Sequence, residues 1–228
     1  MQAESTYQIP LDSIESALED LKNGKFVILL DHPGREGEGD LIAAASMVTP
    51  EMINFQITHA RGAFVAILMP EEQADYLKLP LQTPDSINQE SQKTSFRLSC
   101  DTVHGSSGCS ATDRAQTVNI LGGVLRQYNS ERTEWIEVRS SDAEDLVRPG
   151  HAIPISANPK GLQARQGHTE AAVELLRLAE MEPPVAVDME ILAPDGDMAN
   201  SEYIRAFADK KGLKVISIPQ LLDFIEVF

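Results

Sequence analysis

The chain has 228 residues, 42% hydrophobic and 24% charged, with a formal net charge of −16. This length suits one large or two small domains with a sizeable core, and no apolar run approaches the ~18 residues of a membrane span, which excludes a membrane protein. Lys and Arg are scattered rather than gathered in a basic stripe, which argues against a nucleic-acid partner. Two cysteines, Cys100 and Cys109, are too few for a disulfide scaffold or a thiolate zinc site.

The start, "MQAESTYQIP", has neither the basic nor the apolar region of a secretory signal, so a cytoplasmic location is expected. Leu11, Ile14, Leu18 and Leu21 recur at helical spacing; Asp12 and Glu15 fit a capping box, and Gly24 stands where the helix should stop. "KFVILLD" and "LIAAASMV" read as buried strands joined by the glycine-rich loop "HPGREGEGD". Thr49 and Pro50 open a helix to about residue 60, and "GAFVAILMP" is a further buried strand. Residues 70–93 carry a short helical piece at "EEQADYL", and "TSFRLSCD" returns to a strand pattern. "HGSSGCSATDRAQTV" is a loop running into a helix that starts near Ser110 or Thr112. "RQYNSERTEWIEVRSSDAEDL" reads as a polar connection leading to "VRPGHAIPI". The last third alternates: a helix over 168–180, a strand at "VAVDMEIL", a helix at "SEYIRAFADKKG", a strand at "KVISI" and a helix at "PQLLDFIEVF". No repeat or long linker divides the chain, so one α/β or α+β domain is expected over residues 1–228.

Five segments carry chemistry, each with a plainer reading beside it. Glu36, Glu38 and Asp40 offer oxygen ligands to a hard divalent cation and Arg35 adds a fork-shaped cation, yet a solvated acidic turn has the same composition. Arg165, Gln166, Gly167, His168 and Thr169 precede or open an amphipathic helix whose N–H groups suit an anion, although Thr169 could be only an N-cap. His151, in a Pro and Gly bend, could transfer protons near neutral pH or be structural. Glu190 lies in an apolar strand; facing inward it becomes a candidate base, and alternation alone does not decide its face. Gly105 to Ser110 could offer hydroxyls to a phosphate, but the Gly-Lys-Ser/Thr ending of a nucleotide loop is absent.

Together, "LLDHPGREGEGDLIAAASMVTPEMINFQITHARG", "ATDRAQT", "DLVRPGHAIPI", "RQGHTEAAVELLRLA", "MEILAPDGDMA" and "FADKKGLKVISIPQLLDFI" resemble the 3,4-dihydroxy-2-butanone 4-phosphate synthases of riboflavin biosynthesis. The resemblance spans nearly the whole chain. It implies a mixed sheet packed with helices, a homodimer with active sites at the subunit interface, and Mg²⁺ or Mn²⁺. It also implies a lyase reaction in which ribulose 5-phosphate is enolised, its skeleton rearranges and C4 leaves as formate. By matching position, Glu36 and His168 would ligate the metal. Arg35, Glu36, Asp40 and Glu190, with Arg165 through Thr169, would hold the sugar phosphate, and His151 and Glu190 would move protons. Longer family members carry a GTP cyclohydrolase domain that this sequence does not include.

The sequence departs from the family pattern at His32, Pro33 and Gly34 before Arg35, and at Gly37, Val65, Gln92, Ser106, Ser107 and Asn200. These departures leave three readings open: a divergent synthase, a paralogue using the same metal site on another hydroxyketone or small molecule, and a non-catalytic partner subunit.

Overall fold

The structure, a computed structural model, describes residues 7–129 and 134–227. In chain order its main elements are α1 (Ile14–Lys22), β1 (Val27–Leu30), β2 (Gly39–Ala44), α2 (Pro50–Phe55) with a π-helical extension (Gln56–Ala60), β3 (Ala66–Met69), α3 (Glu71–Tyr76), β4 (Ser95–Phe96) and β5 (Cys100–Thr102). There follow α4 (Ala111–Leu121), β6 (Val124–Asn129), β7 (Glu134–Ser140), β8 (Leu146–Ser156), α5 (His168–Leu178), β9 (Ala186–Glu190), α6 (Ser201–Lys211), β10 (Lys214–Ser217) and α7 (Ile218–Val227).

One mixed sheet organises these elements in the order β10-β1-β2-β9-β3-β8-β4, with β5 also paired to β8. The pairs β1–β10 and β3–β8 are parallel, and the rest of the sheet is antiparallel. Its central strands are apolar on both faces because both are covered. On one face Ile28, Leu30, Leu41, Ile67 and Val187 pack with residues of α2, α4 and α6. On the other Leu29, Ile42, Ala44, Leu68 and Ala186 pack with α1, α5 and α7. The result is the expected mixed α/β architecture, with helices on both sides of the sheet.

Local caps explain several boundaries. Thr49 caps α2 as expected, accepting from the Met52 N–H, and Ser110 caps α4 by accepting from Asp113. The expected capping role of Asp12 is corrected: Ser13 caps α1. Asp12 instead accepts from the Val215 N–H and pairs with Arg205 and Lys214, tying the N-terminal segment to β10. A larger correction concerns the polar connection after α4. Within its described part, β6 and β7 form a two-stranded hairpin apart from the main sheet; residues 130–133 of that connection lie outside the described residues. Leu125 is buried there, but β7 is largely exposed, so the hairpin lacks the buried apolar alternation that marks a strand in sequence.

Candidate active site

Strands β2 and β9 run antiparallel with Ala44 opposite Ala186, Ile42 opposite Asp188 and Asp40 opposite Glu190. Side chains two residues apart share a strand face. The face that carries Ala44, Ile42 and Ala186 under the helices therefore ends in three acids, Asp40, Asp188 and Glu190. They line a cavity of about 190 Å³ that also takes in Arg35, Glu36, Glu38, Arg165, His168 and Thr169. Phe64, Ala66, Leu68, Phe96 and Ile155 supply its apolar wall.

Removing water from these acids raises their affinity for protons. Burial pushes Asp40 well above the ordinary carboxylate range, and the neighbouring Glu190 and Glu38 push it further. Asp188 is raised in the same way, by burial and then by Asp40. Glu190, half-buried, is raised mainly by burial, with Glu36 adding to the effect and His168 opposing it. Glu38 is raised by burial and then by Glu190 and Glu36. The floor is thus a set of carboxyl groups that hold protons more readily than free acids do. That answers the question alternation left open: Glu190 faces the cavity.

The acidic loop above the floor is built around Asp31, whose side chain is wholly buried. Its Oδ2 accepts from Arg35 Nη1 at 3.0 Å and from the Glu36 N–H at 3.1 Å, while Oδ1 accepts from the Glu38 N–H at 3.0 Å. Arg35 also pairs with Glu36. Gly37 has φ +73°, in the left-handed region where glycine is unstrained and asparagine is the best-tolerated alternative. The loop is therefore an ordered turn that presents Arg35, Glu36 and Glu38 to the cavity, unlike a merely solvated acidic turn.

The third wall is the start of α5. Gly167 is its N-cap and makes no side-chain cap bond, so Thr169 sits inside the first turn and is not the cap. A Cβ on Gly167 would lie 2.5 Å from Arg165 Nη1 and 2.9 Å from Glu170 Oε2, so only glycine lets that pair close beneath the helix start. Arg165 donates to Glu170 at 2.6 Å, to Thr94 at 3.0 Å and to the Gln92 carbonyl at 3.2 Å. It lines the cavity as a braced cation. His168 is buried with Nδ1 3.4 Å from Asp40 Oδ2, and its Nε2 has no hydrogen-bond partner.

Eight of the residues singled out in the sequence meet here: Arg35, Glu36, Glu38, Asp40, Arg165, His168, Thr169 and Glu190. Three do not line the cavity. Gln166 is exposed, Gly167 acts through the helix start, and His151 lies on β8 with its Nδ1 2.7 Å from Asp101 Oδ2. Asp31 and Asp188 were missed. Asp188 was legible in principle, since Asp188 and Glu190 are two apart on one strand; nothing short of its burial marked Asp31. None of the departures from the family pattern lines the cavity. Asn200 caps α6, Val65 is in the opposite core, and Ser106 and Ser107 bind Asp113. His32 accepts from the Gly34 N–H within the loop, and Gln92 contributes its carbonyl to Arg165.

Asp31, Glu36 and His168 each offer a ligand atom, and these atoms lie within 4.8 Å of one another. Bonds near 2.1 Å to a shared ion require this kind of separation. With the orphaned, buried His168 Nε2 beside them, the residues fit a hard divalent cation held by oxygen and one imidazole.

Fold and site together define an α/β enzyme with an acidic, imidazole-bearing pocket closed by a helix N-terminus. The chain belongs to the 3,4-dihydroxy-2-butanone 4-phosphate synthase family, whose model matches residues 15–224. It is 41% identical to the 3,4-dihydroxy-2-butanone 4-phosphate synthase of Agrobacterium fabrum, over 93% of this chain and 92% of that one. It is equally 41% identical to a monofunctional riboflavin biosynthesis protein of Arabidopsis thaliana, covering 93% of this chain but only 41% of that longer protein. Among solved structures, a 3,4-dihydroxy-2-butanone 4-phosphate synthase in complex with two magnesium ions superposes with a TM-score of 0.80 at 34% identity, over 95% of this chain and 97% of the other. The Candida albicans enzyme gives 0.77 at 36% identity, over 95% and 99%.

Proposed function

We propose that this chain is a lyase of riboflavin biosynthesis that converts ribulose 5-phosphate to 3,4-dihydroxy-2-butanone 4-phosphate and formate. The observation that carries the reading is the meeting of Arg35, Glu36, Asp40, His168 and Glu190, from four separate elements, in one cavity of a chain that matches the family over residues 15–224. Glu36 and His168, with Asp31 beside them, would hold Mg²⁺ or Mn²⁺. A bound divalent cation would supply Lewis-acid polarisation of the sugar's oxygens. Glu190, whose proton affinity burial has raised, exchanges protons with the sugar carbons and hydroxyls as a general acid and base. Arg35 and Asp40 contact the hydroxyls. The first-turn N–H groups of α5 receive the phosphate, with Arg165 beside them as a fixed positive charge.

His151 fits a homodimer in which each site is completed across the interface. Asp101 holds its ring in place, and about half of its side chain is open to an approaching partner. The whole chain would act as one catalytic domain in the cytoplasm; among the described residues no helix is long and apolar enough to cross a membrane. Because the departures from the family pattern lie outside the cavity lining, they favour the synthase over a paralogue with another substrate.

The test is formate release from ribulose 5-phosphate with Mg²⁺ and with chelator. Metal-dependent formate is expected. No formate above the chelated control would overturn the reading, and calorimetric Mg²⁺ binding without formate would indicate the paralogue.

A further inference from the structure

Away from the acidic site, the π-helical extension of α2 and the last turns of α6 enclose a second cavity of about 340 Å³. Its polar lining is basic: Thr58, the His59 imidazole and the Arg61 guanidinium come from one side, the Lys210 and Lys211 ammonium groups from the other. Tyr203 and Phe207, one helical turn apart on α6, form an aromatic wall, and no carboxylate lines the space. In a chain of net charge −16, this concentration of positive charge runs against the overall field.

Most described Lys and Arg side chains pair with carboxylates, as Arg35, Arg97, Arg165 and Arg205 do. Arg61 and Lys210 do not. Lys211 lies 3.1 Å from His59 Nε2 and 5.2 Å from the centre of the Phe55 ring, without an acidic partner. Phe55 in turn packs edge-on against His59, with ring centres 4.7 Å apart. These contacts hold the imidazole and ammonium in place on the cavity wall. Lys210 and Lys211 also suit the negative end of the α6 dipole, which accounts for two of the cations. It does not account for His59 and Arg61, which belong to a different element and converge on the same space.

We propose that this cavity binds a small phosphate monoester that carries a planar ring. The cations take the phosphate, for which Arg is suited by its fork and Lys by its point charge. The ring lies on the Tyr203 and Phe207 wall, where an aromatic surface beside cations favours stacking. His59 offers an independent reporter: partial burial and then Lys211, Arg61 and Lys210 hold its pKa below the usual histidine value. An anion among those cations would raise it.

The experiment is an NMR titration of the His59 imidazole in the full chain with adenosine monophosphate, inorganic phosphate and adenosine, at constant ionic strength. The His59 signal is assigned by its loss in His59→Gln. Expected is a saturable shift and an upward move of the His59 pKa with adenosine monophosphate, at an affinity at least ~5-fold tighter than phosphate and with no response to adenosine. Lys210→Gln with Lys211→Gln should weaken the affinity about tenfold, the scale of one or two charge-assisted contacts, while formate release from ribulose 5-phosphate is unchanged. Absence of saturation, equal binding of phosphate and adenosine monophosphate, or an affinity unaffected by the double substitution would each overturn the proposal. The binding results that decide the proposal do not depend on whether the acidic cavity is a synthase site.

Discussion

Asp40 and Asp188 stand on neighbouring strands, both buried and both raised in proton affinity, first by burial and then by nearby acids. In the unfolded chain each would titrate near the ordinary aspartate value of about 3.9. Above that value and up to the raised folded pKa, the folded chain binds more protons than the unfolded one. Stability is therefore greatest below about pH 4 on this account and falls as pH rises through the window. Replacing Asp188 with Leu removes one acid and leaves Asp40 alone beside His168. Urea unfolding with chelator should show Asp188→Leu about 1–3 kcal/mol more stable than wild type at pH 8, with the gain shrinking toward pH 5. Parallel stability curves for the two proteins would show that burial does not raise the proton affinity of this pair. Both carboxyl groups are buried at the floor of the cavity, where a bound cation and a polyol would compensate them.

At the scale of elements, the loop over residues 31–38 shows how a one-residue backbone demand sets a site. Asp31 anchors three of its groups, and Gly37 turns it at φ +73°. Gly37→Asn should leave the melting temperature and Mg²⁺ affinity near wild type. Gly37→Ala should cost about 1–2 kcal/mol, the penalty of a Cβ in the left-handed region, and weaken Mg²⁺ binding measured by calorimetry. Equal effects of Asn and Ala would locate the constraint in space rather than in φ. The open surroundings predict otherwise, since a Cβ there would meet only the Pro33 carbonyl, 3.9 Å away. The helices and buried strands of this chain are legible because their apolar periodicities differ, 3.6 against a continuous run. The β6–β7 hairpin was not, because its strands are held by backbone pairing and by polar contacts such as Arg126 to the Trp135 carbonyl. Such contacts leave no apolar pattern in the sequence.

For the whole molecule, the separation of His151 from the cavity of its own chain is the central architectural fact. If each site is completed by a partner's β8, two inactive variants should rescue one another. Mixing His151→Ala with Glu190→Gln after unfolding and refolding should restore about a quarter of wild-type formate release, since half of random dimers would carry one intact site of two. Mixed protein as inactive as its parents would place His151 outside the reaction in trans. Sedimentation of the wild-type chain as a dimer is the accompanying expectation.

Composition, hydrophobic period and a few caps were enough to place most helices and strands, and the order of separated motifs was enough to suggest the family. These are local properties, or patterns read along one dimension. What only the tertiary structure decided is which side chains share a space. Glu190 faced the cavity because β9 pairs with β2 in a register that sets it opposite Asp40. Asp31 became the anchor of the acidic loop because it alone there is fully buried, and a buried carboxylate must find donors. His168 came to lie beside residues over a hundred positions earlier because α5 packs on the sheet face that ends in acids. Pairing register and burial are long-range outcomes of folding, and no local pattern in the chain encodes them directly.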